Sequence, residues 1–365
     1  RRQRQMCIRD RALIGLMTQR WVPHLWGLFT PAFTLACLGF GGWWMAAPLV
    51  LFLGVYPILE VLMGSSDNTD PLQEGRAHDI IVHIHAVGVP LMLGVLLWRM
   101  SVDGLTLLTV LGIASAGLSN GASGIVAAHE LGHRRQRSKS WWTARVSLFS
   151  VLYVHFTTEH NFTHHRHWAR DVDPTSSPWG RSVYTHVLLT IPKQVRGAYL
   201  ARPVDTRRSM GLEVLFLVGL AAAGWPYLLA YVGQAAVAIY LLEFVNYLQH
   251  HGLRRGDNER PNATHAWESR HRLSRWTLLE LPLHPSHHLK GSTPYQRLDV
   301  HDEAPQLPFG YYAMFWIALI PPLFGRLMRK QHDLLSAKPE KTRVVARSPS
   351  SLSLIHISEP TRPVL

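Results

Sequence analysis

The sequence predicts an all-α integral membrane protein with six transmembrane helices and a histidine-rich cytoplasmic cap. Three observations predict it. From Trp21 to Leu59 there is no Asp, Glu, Lys or Arg. Further apolar blocks follow, each near the ~20 residues a helix needs to cross hydrocarbon. The chain also holds 22 histidines in 365 residues, and they cluster at the ends of those blocks.

The elements follow in order. Residues 1–20 are basic (Arg1, Arg2, Arg4, Arg9, Arg11, Arg20) and predict a cytoplasmic N-terminal segment without a cleavable signal pattern. The uncharged run is too long for one span, and Gly39, Gly41 and Gly42 divide it into spans at 24–40 and 43–63. Residues 64–78, with Asp67, Asp70, Pro71, Glu74 and Arg76, read as a polar loop. A third span covers 79–98, Arg99 and Asp103 mark a turn, and a fourth covers 104–127 and runs into His129. After a polar stretch to about 209 come spans at 210–229 and 233–250, with Gly224-Trp225-Pro226 and Gly233 as the predicted breaks. Phe309–Gly325 is short for a span and contains Pro321-Pro322, so it predicts an interfacial or re-entrant segment. The membrane domain is thus 21–328, and 329–365 predicts a disordered tail whose end resembles a translated sequencing adaptor.

Charge sets the orientation. Six spans place both termini on one side, and nearly all Lys and Arg lie there, while the far-side turns hold little beyond Arg99. The net charge of +13 is therefore a positive-inside pattern and not a nucleic-acid patch. The weak point is the 64–78 loop, cytoplasmic by this count yet with a single Arg. The two cysteines, Cys7 and Cys37, form no C-x-x-C pair, which excludes a thiolate iron or zinc module.

The chemistry lies in histidine spacing. His129 and His133 are four apart, as are His160 and His164, with His165 adjacent. On helices these pairs share a face, so two facing helices would gather five imidazoles into a metal site. His284, His287 and His288 repeat an i, i+3, i+4 spacing, and His250 ends the sixth span. Nine candidate ligands exceed one ion and suit two. H-E-L-G-H alone fits a zinc-protease pattern with Glu130 as general base, but such a site needs only one further ligand. His83, His85, His155, His167, His265 and His271 lack repeated spacing and read as structural. Glu243 is an acid inside the sixth span, two turns before His250, where an ionisable group is functional by default.

The ordered motifs H-E-L-G-H-R, E-H-N-F-T-H-H, N-Y-L-Q-H-H-G-L and L-P-L-H-P-S-H-H resemble the integral-membrane alkane 1-monooxygenase family, related to xylene monooxygenase and the membrane desaturases. The similarity runs from the first span to about Met328 and includes D-P-T-S-S and H-A-W-E-S-R-H. It implies a cytoplasmic non-haem di-iron site with His129, His133, His160, His164, His165, His250, His284, His287 and His288 as ligands. Glu130, Glu159, Glu243 and Gln249 are the expected polar groups beside them. Thr163, Gln249 and His251 depart from the family pattern, as do Pro282, Leu283 and Ser286, which remove an amide, a cation and an acid that would orient imidazoles.

The resemblance implies that one atom of O2 enters a C–H bond, terminal in a medium-chain alkane. Acyl desaturation or hydroxylation, or xylene-type methyl hydroxylation, would use the same metal site, and a non-catalytic protein retaining the motifs is the remaining alternative. It further implies rubredoxin and its reductase as electron donors, and residence in a bacterial inner membrane. Phe52 aligns with a large residue that limits chain length in the family; its other reading is a lipid-facing aromatic.

Overall fold

The computed structural model describes residues 21–69 and 75–336. The predicted basic N-terminus, the tail beyond Ser336 and its adaptor-like end lie outside them, whereas residues 329–336, expected to be disordered, complete a helix over Pro321–Ser336. The described residues are helical, with two isolated bridges, Ser65 to His271 and Glu268 to Gln306, in place of a sheet.

Four helices are long and apolar enough to cross a membrane: α2 (Gly42–Met63), α3 (Arg76–Asp103), α4 (Leu107–Gly132) and α9 (Trp225–His250). The other two predicted spans are helical but weaker. Helix α1 (Leu25–Phe40) has 16 residues, short of the usual length. Helix α8 (Pro203–Ala223) begins about three turns ahead of its apolar run, with Asp205, Arg207 and Arg208, and carries Glu213. The fifth boundary also differs from the prediction. The reversal is made by Gly224 alone, at φ 144°, and Pro226 starts α9 in its first turn, where the missing N–H costs nothing. Gly233 lies inside α9, and a Cβ there would come within 2.8 Å of Ile113 on α4. It serves close packing rather than a break. Gly117 and Gly121 do the same from α4, against Val237 and Leu241 of α9.

Chain direction puts the far-side turns at Gly41–Gly42, 104–106 and Gly224. Arg99 is buried there and acts as a helix cap. Its guanidinium donates to Leu38 O (3.0 Å) and Gly39 O (2.5 Å) at the end of α1, and pairs with Asp103 at 3.2 Å. On the same side, Thr106 caps the start of α4 reciprocally with Thr109, and α4 runs from there to the histidines.

The cap is built from α5 (Lys139–Phe149), a helix over 156–167 (α6), α7 (Val183–Ala201), α10 (Arg272–Thr277), α11 (His284–Leu289), α12 (Tyr311–Ala318) and α13 (Pro321–Ser336). The described part of the 64–78 loop sits on this face. Ser66 N donates to Arg270 O at 2.9 Å, Arg270 pairs with Asp67 at 3.0 Å, and Arg275 donates to Asn68 O at 2.9 Å. Its scarcity of cations is explained by those it borrows from 270–275. Phe309–Gly325 forms two short helices with the break at Ile320 before Pro321-Pro322. Helix α12 is anchored by Glu60 of α2, whose carboxylate accepts from Ala313 N at 2.9 Å at the helix start.

Candidate metal centre

The helix ends bring all nine singled-out histidines together, in two groups. His129, His133, His160, His165 and His287 form one, and His164, His250, His284 and His288 the other; within each, one ring nitrogen per residue lies within 4.8 Å of the rest. The partition differs from the simple spacing argument. Residues 160–164 form a π-helical turn, which widens the repeat so that His160 and His165, five apart, face the same point while His164 turns away. His287 completes the first group in its place, and His284 and His288, one α-helical turn apart, stay together.

The nitrogens are spaced as ligands of a shared ion would be. Two imidazoles about 2.1 Å from one ion at right angles stand about 3.0 Å apart. In the first group, Nε2 of His129 lies 2.8 Å from His160 and 3.4 Å from His133, and Nε2 of His165 lies 3.0 Å from His160 and 3.1 Å from His287. In the second, Nε2 of His164 lies 3.1 Å from His288, and His284 3.0 Å from His250. Burial, reinforced by neighbouring imidazoles, holds His160, His165, His284, His287 and His288 well below the ordinary imidazole value, and His133 at about 3. Neutral rings with convergent lone pairs are a metal-binding donor set, so the residues fit a metal site. Its donors are imidazole alone, with no carboxylate in either group. The two groups adjoin, the His165 and His288 ring centroids being 4.5 Å apart.

The polar groups expected beside the ligands are placed differently. Glu130 pairs with Arg134 at 3.4 Å. Glu243 accepts from Tyr153 (2.9 Å), Gln194 (3.0 Å) and Asn246 (3.2 Å). Gln249 donates to Tyr311 Oη at 2.9 Å. Glu159 is fully buried with both oxygens unpartnered. The carboxylate that does hold one of the grouped imidazoles is Asp173, which accepts from His164 Nδ1 at 3.0 Å and also from Thr175 and Ser176. It opens the D-P-T-S-S stretch, visible in sequence but without the spacing that would tie it to His164. His250, His284 and His288 have no partner on Nδ1, consistent with the apolar Pro282 and Leu283 nearby. None of His83, His85, His155, His167, His265 or His271 joins either group.

Below the histidines lies an apolar cavity, with His129, His160 and His284 at its metal end. Phe52 lines it, 6% exposed, so it faces the interior and not lipid. Its ring meets Tyr312 edge to face at 5.2 Å and Tyr56 at 6.2 Å. Phe52 sits on a π-helical turn (Leu51–Val55), and a second π turn (Asn120–Ile125) supplies Gly121, Ala122 and Ile125 to the same wall.

An apolar helical bundle ending in paired histidine groups defines a membrane metalloprotein of the desaturase type, and the fatty acid desaturase family model matches residues 105–318. Alkane 1-monooxygenase 1 of Pseudomonas aeruginosa is 33% identical over 316 residues, 78% of this chain and 82% of its own. Alkane 1-monooxygenase 1 of Alcanivorax borkumensis is 31% identical over 342 residues, covering 84% and 83%. Alkane 1-monooxygenase 2 of Pseudomonas aeruginosa is 31% identical over 318 residues, covering 78% and 82%. The chain belongs to the alkane 1-monooxygenase family.

Proposed function

We propose that the chain is an iron-dependent membrane monooxygenase that hydroxylates alkanes, probing a terminal C–H bond of a medium-length chain. The observation that carries this reading is the direct opening of two all-imidazole groups onto an apolar cavity. Two irons bound there would supply the oxygen chemistry, in which O2, two electrons and two protons give one oxygen atom inserted into the C–H bond and one water. The nine histidines are the proposed ligands: His129, His133, His160, His165 and His287 for one ion, His164, His250, His284 and His288 for the other.

The protein's own part is positioning and exclusion of water. The cavity wall offers a hydrocarbon no polar group to desolvate except near the histidines, and each methylene buried in it gains roughly 0.8 kcal/mol. No Lys or Arg is among its lining side chains, so a free carboxylate would find no counter-charge there. An alkane end placed against His129, His160 and His284 would have its far end near Phe52 and Tyr312. Asp173 fixes the tautomer of His164, leaving Nε2 free to bind metal.

Six spans with the cap and both termini in the cytoplasm of a bacterial inner membrane fit the charge distribution, since Arg134, Arg135, Arg137, Arg166 and Lys290 lie on the cap face and Arg99 is a buried cap on the far side. Electrons would come from a rubredoxin and its reductase, and the basic face suits an acidic carrier. The test is conversion of a hydrocarbon and acyl panel by whole cells expressing the chain with rubredoxin and its reductase. Terminal alcohols from alkanes are the expected products; unsaturated acyl products alone would overturn the reading.

A further inference from the structure

The cavity carries one polar feature besides its histidines. Asn246 and Gln249 lie three residues apart on α9, so on one face, and both line the cavity just ahead of His250. Each amide is tethered through its nitrogen. Asn246 Nδ2 donates to Glu243 Oε2 at 3.2 Å. Glu243 is fixed in turn by Tyr153 Oη at 2.9 Å and by Gln194 Nε2 at 3.0 and 3.1 Å, and Tyr153 also donates to Gln194 Oε1 at 2.7 Å. Gln249 Nε2 donates to Tyr311 Oη at 2.9 Å. Turning the Asn246 amide over would set its oxygen against the Glu243 carboxylate, so the network fixes which end faces the cavity.

What remains facing the cavity is the Asn246 acceptor, with the Gln249 amide beside it. Among the described residues no donor reaches Asn246 Oδ1 or Gln249 Oε1, and neither is sealed in the way that the unpartnered oxygens of Glu159 are. An alkane offers nothing to such oxygens, whereas an alcohol offers an O–H. Polar groups set sparsely in an apolar pocket fix the orientation of a ligand that complements them. A site built to hydrogen-bond a hydroxyl also discriminates strongly against the analogue that lacks it.

We propose that Asn246, with Gln249 beside it, forms a hydroxyl-binding subsite at the metal end of the cavity, and that chain-terminal alcohols are ligands of this protein in their own right. The proposal rests on the hydrocarbon reading of the cavity. It makes the product of the proposed reaction a better ligand than its substrate, held by an acceptor that the substrate cannot use. Glu243 is a positioning residue in this scheme, acting through the Asn246 amide.

Equilibrium competition against a labelled alkane, using the purified full chain in detergent, tests the proposal without turnover. The probes are octane and 1-octanol, and the variant is Asn246→Leu, close in shape but without the acceptor. Wild type is expected to bind 1-octanol about tenfold tighter than octane, one net hydrogen bond. Asn246→Leu should bring the two affinities together, with octane affinity and metal content retained as evidence of folding. Equal affinities in wild type, or an unchanged ratio in the variant, overturn the proposal while leaving the hydrocarbon reading intact. Failure of wild type to bind either probe removes the hydrocarbon reading itself and the subsite with it. If Asn246→Leu does not fold, Gln249→Leu reads the same ratio: a partial fall is expected, and an unchanged ratio overturns the proposal.

Discussion

Asp173 holds His164 from behind: the Nδ1–H donates to Asp173 Oδ2 at 3.0 Å while Nε2 points at His288 Nε2, 3.1 Å away. Burial alone would push the Asp173 carboxyl up, but His164, then His250 and Ser176, outweigh it and hold the group well below the usual carboxylate range. The anion is therefore kept, and with it the orientation of one imidazole of the four-histidine group. In the four-histidine group the other three rings lack any such partner. Asp173→Asn should lower the affinity of that group for metal roughly 10–100-fold and leave the five-histidine group nearly unchanged. Chelator competition on the loaded protein resolves the two; an equal loss from both, or none, contradicts the assignment.

The cavity end predicts a substrate-length effect. Phe52 fills space that a chain terminus could use, backed by Tyr312 and Tyr56. Phe52→Ala should shift preference from octane toward hexadecane with iron content unchanged, each added methylene gaining roughly 0.8 kcal/mol in the apolar space opened. The conversion ratio of the two alkanes checks it, and an unchanged ratio would leave Phe52 a packing residue only.

The helices and the histidine clusters were legible because both repeat. An uncharged run from Trp21 to Leu59 has few readings besides membrane helices, and three copies of histidine spacing at helix ends have few besides metal. What sequence did not carry is the division of the ligands. His160 and His164 look like an α-helical pair, yet the π turn sends them to different groups, and no residue type marks a π turn. Asp173 was hidden for a related reason. It meets His164 across nine residues of irregular chain, which no periodicity describes. Gly233 was misread as a break because a glycine that permits close packing looks the same in sequence as one that ends a helix.

Topology is open to a direct test. A reporter fused after Met328 should be cytoplasmic, and one inserted in the 104–106 turn should be on the opposite side. Both reporters on one side would contradict the orientation and the span count between them.

The imidazoles outside the spans set a pH dependence with a definite sign. Burial, and then His164, hold the His133 imidazole down to about 3 in the folded chain, against 6.5 ordinarily. Between those values the unfolded chain binds a proton that the native chain does not, so stability falls as pH drops through that window and is complete above it. His160, His165, His284, His287 and His288 shift the same way. The melting temperature of metal-free protein should be level above about pH 7 and fall steadily below about 6.5. A flat profile between pH 7 and 5 would contradict it.

The proposed function requires nine imidazoles to hold two irons. The most direct measurement is metal content of purified, active protein alongside His160→Ala and His288→Ala, one from each group. The account predicts about two irons per chain in the wild type. Each variant should lose occupancy mainly at its own group, and neither should hydroxylate. Stoichiometric zinc in active protein, a single iron per chain, or full activity in either variant would contradict it.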